Sequence, residues 1–207
     1  MIKYLIFDLD GVLIDSNSIH RDSFINTWNY INSNYPIDAI FHDTYIDGET
    51  SIKKIEFLDN HFGIKSDSKQ IAMCKKDEII KILSNFNYSN KIQTIFQQLK
   101  GNGFSLSCAS NNDRNVLELV LKKLQIYDLL ESIISKEDVV FPKPAPDCYL
   151  QTMKNVKCAV TEALIFEDSD IGIMAAKASG AKVGIVSHPD VLTYEFIIDT
   201  INNSTYL

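Results

Sequence analysis

The chain has 207 residues, 45% of them hydrophobic and 23% charged, which is the composition of a folded globular protein with one or two compact units. Its formal net charge of −7 and pI near 5.1 make nucleic acid and anionic lipid poor general partners. No stretch approaches the about 20 apolar residues that span a bilayer. The opening apolar run, Tyr4–Phe7, is too short for a signal-peptide core, so a cytoplasmic location is expected. Cys74, Cys108, Cys148 and Cys158 form no Cys-x-x-Cys pair, which points to buried free thiols rather than a zinc site or a disulfide framework.

In chain order, Ile2–Phe7 reads as a first strand, short, apolar and ending at Asp8. From about Ser16 to Asn87 the pattern is helical with no convincing strand. Phe24, Trp28 and Ile31 share one face of a first helix. Ile52, Ile55, Phe57 and Leu58 mark a later helix, and Ile71, Ile79, Ile80 and Leu83 the last. The polar stretch Ser84–Asn90 reads as a linker. Ile92, Ile95, Phe96 and Leu99 then fall at helical spacing, with Gly101 as a stop. Phe104–Ala109 reads as a second strand, followed by a helix with Val116, Leu117, Val120, Leu121 and Leu124 on its apolar stripe. Ile133 and Ile134 suggest a weak strand, and Ala163–Phe166 and Lys182–Val186 stronger ones. Between those two, Ile171, Met174, Ala175 and Ala178 form a helical stripe that ends at Gly180. Apolar strands alternating with helices predict an α/β fold with an open parallel sheet covered on both faces, and a helical insert after the first strand.

Chemistry gathers at the predicted strand ends. The first strand runs into Asp8-Leu9-Asp10-Gly11-Val12-Leu13, and open α/β sheets bind ligands at the carboxyl ends of their strands. Residues two apart on an extended segment point the same way, so Asp8 and Asp10 can face one pocket, with Gly11 permitting a sharp turn. Crowded carboxylates either share a divalent cation or raise the pKa of one partner. An ionised carboxylate can be a nucleophile and a protonated one a general acid. A lone Asp-x-Asp also serves merely to cap a turn, but three further elements accompany this one. Ser110 ends the second strand, where its hydroxyl and the following N–H groups can hold phosphate oxygens or act as an ordinary N-cap. Lys143 lies in Pro142-Lys143-Pro144, a rigid extended segment that could preset an ammonium against a phosphate and a nucleophile. Glu167-Asp168-Ser169 follows the Ala163–Phe166 strand and offers oxygen ligands suited to Mg²⁺, or an acidic first turn of a helix.

These four elements, in this order, resemble the haloacid dehalogenase superfamily in its phosphatase and phosphomutase branch. Asp8 through Ser16 looks like its first motif, Ser110 its second, Lys143 in Lys-Pro-Ala-Pro its third, and Glu167 through Gly180 its fourth. The resemblance implies a Rossmann-like core of residues 1–15 and 88–207, and a small helical cap domain over residues 16–87, of the type found in β-phosphoglucomutases and phosphoglycolate phosphatases. It implies that Asp8 attacks phosphorus to form an aspartyl-phosphate, and that Asp10 protonates the leaving oxygen and then activates water. It implies that Ser110, the Asn111 backbone and Lys143 hold phosphate oxygens. By the same resemblance Mg²⁺ is held by Asp8, the backbone carbonyl of Asp10 and Asp168, with Glu167 in or near the shell. The family's dehalogenases lack the second acid, so Asp10 argues against dehalogenation, and the absence of membrane segments excludes the ion-pump branch.

On the cap, His20 resembles a position that faces the active site in β-phosphoglucomutases, and Lys76 resembles a cap lysine of the same relatives. A solvent-exposed histidine and a solvated charge run are the alternatives. Asp47-Gly48-Glu49-Thr50-Ser51 resembles the loop that reads the substrate, but Asp47 and Ser51 stand where the mutases carry basic residues. The expectation is a Mg²⁺-dependent phosphatase acting on a small-molecule phosphate ester, a sugar phosphate or a phosphoglycolate-like metabolite. A phosphomutase is the alternative, and a non-catalytic binding module the third. Neither nucleic acid nor membrane is expected as a partner, and a monomer is the expected state.

Overall fold

The computed structural model describes residues 1–47 and 49–203. They form two compact units, one made of Met1–Asp15 and the chain from Asn87 onward, the other of Ser16–Phe86.

The first unit opens with β1 (Tyr4–Phe7). The chain then builds the second unit from α1 (Asn17–Ile31), α2 (Ala39–Tyr45), α3 (Ser51–Phe62) and α4 (Ser68–Asn85). It returns through α5 (Lys91–Gly101), β2 (Ser105–Ala109), α6 (Arg114–Lys123), β3 (Ser132–Ile134), α7 (Asp147–Asn155), β4 (Ala163–Glu167), α8 (Asp170–Ala178), β5 (Lys182–Ile185) and α9 (Tyr194–Asn203). The five strands are parallel in the order β3-β2-β1-β4-β5. This is the α/β, Rossmann-like architecture the sequence predicts.

β1 and β4 lie at the centre with helices on both faces, so they read as unbroken apolar runs: Leu5, Ile6 and Phe7, and Leu164, Ile165 and Phe166, are all fully buried. On one face the Phe7 ring packs 4.9 Å from Phe96 and 5.0 Å from Phe166. On the other, Ile6, Ala109 and Ile165 meet Tyr149 and Met153 of α7 and Ala175 and Ala176 of α8. β1 pairs with β2 on one side and β4 on the other, so the chain switches direction across the sheet at the carboxyl end of β1, the usual place for a ligand.

Two details differ from the sequence pattern. On α8 the residues facing inward are Gly172, Ala175 and Ala176, while Ile171 and Met174 are more than half exposed. The helix lies so close to β4 that a Cβ on Gly172 would collide with the Glu167 carboxylate. Close approach selects small side chains, and apolar periodicity then points to the wrong face. In the helical unit, α4 extends through Ser84 and Asn85, whose side chains donate to the carbonyls of Ile80 and Lys81, leaving Phe86–Asn90 as the connection. That unit has its own core of Phe24, Trp28, Ile37, Ile46, Ile55, Leu58 and Ile71. Among the described residues no helix is long and apolar enough to cross a membrane.

Candidate active site

The backbone places the acids first. Asp8 N–H donates to the Phe166 carbonyl at 3.0 Å, which locks the end of β1 to β4. Gly11, at φ +78°, then folds the chain back so that its own N–H reaches the Ile14 carbonyl at 2.8 Å. A side chain at Gly11 would run into the Asp168 carboxylate as well as strain the backbone, so two reasons demand glycine. Asp10 accepts a hydrogen bond from the Asn112 side chain. The Asn112 backbone N–H is in turn held by the Ser110 hydroxyl at 3.1 Å, and Ser110 itself is buried.

Lys143 is fixed by a side chain rather than by its prolines alone. The Asn111 amide grips the Lys143 backbone from both sides, accepting from its N–H at 3.0 Å and donating to its carbonyl at 3.1 Å. The buried ammonium donates to Asp8 Oδ1 at 2.5 Å, Glu167 Oε1 at 2.6 Å and the Ala109 carbonyl at 3.0 Å, which uses all three of its protons. Burial pulls the Lys143 pKa down, but Asp8 and Glu167 outweigh it and hold the amine protonated.

Acids outnumber cations here. Burial, then Glu167 and Asp10, push the Asp8 carboxyl up to about 7 against the pull of Lys143. Burial and Glu167, with Asp10 behind them, push Asp168 up to about 6. Glu167 is fully buried. Its Oε1 accepts from Lys143 and, at 2.5 Å, from the Tyr149 hydroxyl, while its Oε2 accepts from Asp168 N–H at 3.1 Å and Ser169 O–H at 3.4 Å. Oxygen atoms of Asp8, Glu167 and Asp168 lie within 4.8 Å of one another. Among the described residues the candidate ligand group is three carboxylates, an all-oxygen set that suits a hard divalent cation such as Mg²⁺. The residues therefore fit the ion. Asp8 and Asp168 have the more available oxygens, and Glu167 is the one tied down by its neighbours.

Thus Asp8, Asp10, Ser110, Asn111, Lys143, Glu167 and Asp168 converge at the carboxyl edge of β1, β2 and β4. Sequence reasoning passed over the Asn111 side chain, Asn112 and Tyr149. The Asn-Asn doublet after Ser110 was the available signal for the first two.

In the helical unit, His20 lies on α1 and Lys76 on α4, both half-buried. The neighbouring Lys75 is a partly buried amine. It donates to the Ser51 hydroxyl at 3.0 Å, and burial together with Lys54 pushes it down to about 8. Burial also lowers the pKa of Lys54, whose Nζ lies 2.7 Å from His42 Nε2. Lys53 pairs with Glu49 at 3.0 Å. Gly48 of the substrate-loop reading lies outside the described residues.

A family model for haloacid dehalogenase-like hydrolases matches residues 5–186. The chain belongs to the haloacid dehalogenase-like hydrolase family. YhcW of Bacillus subtilis is 27% identical over 186 residues, spanning 90% of this chain and 84% of that protein. The pyrophosphatase PpaX of Bacillus cereus is 25% identical over 197 residues, spanning 90% and 83%. Among solved structures, a β-phosphoglucomutase from Clostridium difficile has the same fold, with a TM-score of 0.73 at 20% identity over the whole of both chains. The four-motif resemblance read from the sequence and the family membership agree.

Proposed function

We propose that the protein is a Mg²⁺-dependent phosphatase that hydrolyses a small phosphorylated metabolite, a sugar phosphate or phosphoglycolate-like compound, through a phosphorylated Asp8. The observation that carries this reading is the pairing of a buried carboxylate, Asp8, with a buried ammonium, Lys143, at 2.5 Å, beside a second acid held by its own donor. Lys143 occupies one oxygen of Asp8 and orients the other toward an incoming phosphorus atom. As the Asp8–phosphorus bond forms and the ester bond breaks, Asp10 gives its proton to the leaving oxygen. Asp10 then takes a proton from water as that water attacks phosphorus and releases Asp8. Ser110 O–H and the Asn111 N–H donate to the phosphoryl oxygens. Asp8, the Asp10 carbonyl and Asp168, with Glu167 behind them, would hold Mg²⁺, which supplies positive charge to the phosphoryl group. The catalysis is positioning and charge neutralisation.

The helical unit of residues 16–86 serves, in this reading, as a cap that chooses the substrate, and the protein works in the cytoplasm. A phosphomutase is the second reading, and Lys54 and Lys75 favour it. They supply half-buried positive charge that the acidic loop sequence conceals, and a bisphosphorylated sugar needs such charge at its second phosphate.

Phosphate release across sugar phosphates, phosphoglycolate, pyrophosphate and nucleotides, with and without Mg²⁺, tests the first reading. Release from at least one metabolite only with the metal is expected, and no release from any of them overturns it. Incubation with β-glucose 1-phosphate and a trace of glucose 1,6-bisphosphate separates the two readings. Free phosphate as the main product supports the hydrolase, and glucose 6-phosphate formed faster than phosphate supports the mutase.

A further inference from the structure

Tyr149 of α7 has no part in the chemistry described above, yet it touches both members of the ion pair behind Asp8. It is fully buried. Its hydroxyl donates to Glu167 Oε1 at 2.5 Å, and its ring lies under the Lys143 ammonium with 4.9 Å between nitrogen and centroid. Burial, then Asp8 and Glu167, hold its pKa well above the usual range, so the phenol stays a donor.

We propose that Tyr149 is a positioning residue for phosphoryl transfer, sharing the charge on Glu167 so that Lys143 remains committed to Asp8. The inference deepens the phosphatase reading and rests on it for its kinetic consequence. The geometry leaves little slack. The Lys143 ammonium spends one proton on each of Asp8, Glu167 and Ala109. Glu167 Oε1 has two donors, Lys143 and Tyr149, and no access to solvent. Without the phenol, that oxygen has only the ammonium to answer its charge, and a buried carboxylate lacking a donor draws harder on the one it keeps. The ammonium then shifts toward Glu167 and loosens from Asp8. The ring makes a second, separable contribution, because its face holds the cation from below.

The test uses the full chain with Tyr149→Phe, which removes only the hydroxyl, and Tyr149→Leu, which removes the ring as well. For Tyr149→Phe, kcat with Mg²⁺ should fall roughly tenfold, the scale of one charged hydrogen bond. KM should stay within about twofold, since substrate binding is untouched. Tyr149→Leu should fall further, with the phenylalanine variant recovering part of the loss. A readout independent of turnover is the Lys143 ammonium resonance in metal-free protein labelled with ¹⁵N-lysine, assigned by its absence in Lys143→Met. It should move and exchange faster with water in Tyr149→Phe. A Lys143 resonance identical in wild type and Tyr149→Phe overturns the proposal, as does a Tyr149→Phe kcat equal to wild type. If the wild type releases no phosphate from any ester, the phosphatase reading fails, and the resonance alone decides whether Tyr149 holds Lys143.

Discussion

Replacing Asp8 by asparagine should stabilise the metal-free protein while abolishing its turnover. The folded state holds the Asp8 carboxyl near 7, against 3.8 for an ordinary aspartate, because burial and the neighbouring acids outweigh Lys143. Between those two values the folded chain binds more protons than the unfolded chain, so stability falls as pH rises and the full loss is reached above about 7. A rise from 3.8 to about 7 corresponds to about 4 kcal/mol. Asparagine is nearly isosteric, keeps an oxygen toward Lys143 and never ionises, so it avoids that cost. At about 2–4 °C per kcal/mol for a chain of this size, the melting temperature should rise by roughly 8–16 °C at alkaline pH. The gain should be largest at pH 8, less than half as large at pH 5, and close to nothing near pH 3.5. Scanning calorimetry on chelator-treated protein is the assay. Fluorescence is unsuitable because the single tryptophan, Trp28, belongs to the helical unit, whereas Asp8 belongs to the other. An Asp8→Asn variant less stable than wild type at pH 8, or equally shifted at every pH, would refute the reasoning.

Asp168 is raised in the same direction, to about 6, so under the proposed Mg²⁺ assignment protons would compete with the ion for the same two carboxylates. The apparent Mg²⁺ affinity measured by titration calorimetry should therefore weaken steadily from pH 8 to pH 5, and a pH-independent affinity would place the ion elsewhere. Asp10→Asn should slow turnover by roughly 10²–10⁴-fold, the usual contribution of a general acid–base group. The loss should be smaller for p-nitrophenyl phosphate, whose leaving group needs little protonation; equal losses on nitrophenyl and alkyl esters would make Asp10 a ligand only. Gly172→Ala places a methyl group against the buried Glu167 carboxylate, and overpacking of this kind costs about 1–3 kcal/mol. Its melting temperature should drop and its kcat with it, and an alanine variant with wild-type melting and rate would show that α8 yields easily.

The acidic half of the candidate site was legible because its residues sit at the ends of strands, where sequence pattern and topology speak together. Asp8 and Asp10 close an apolar run, Ser110 closes another, and Glu167 and Asp168 a third, so their convergence follows from a parallel sheet. Lys143 stood out through its prolines. The side chains that hold these groups were not legible, because what qualifies Asn111, Asn112 and Tyr149 is contact across the fold. Asn111 grips a backbone 32 positions away, and Asn112 reaches an acid 102 positions away. The α8 stripe misled for a related reason: its packing against β4 is so tight that glycine and alanine, not isoleucine and methionine, face inward. In the helical unit, Lys75 and Lys76 are adjacent and chemically identical in sequence. Only the fold shows that Lys75 bonds to Ser51 and that burial lowers its pKa.

The most direct test of the central claim is to mix the enzyme with Mg²⁺ and a substrate found by the phosphate-release screen, quench in acid within the first turnovers, and map the peptides by mass spectrometry. The account predicts a single added phosphoryl group, labile to hydroxylamine, on the peptide that contains Asp8, and none in Asp8→Asn. A phosphoryl group on any other residue, or full turnover by Asp8→Asn, would contradict it.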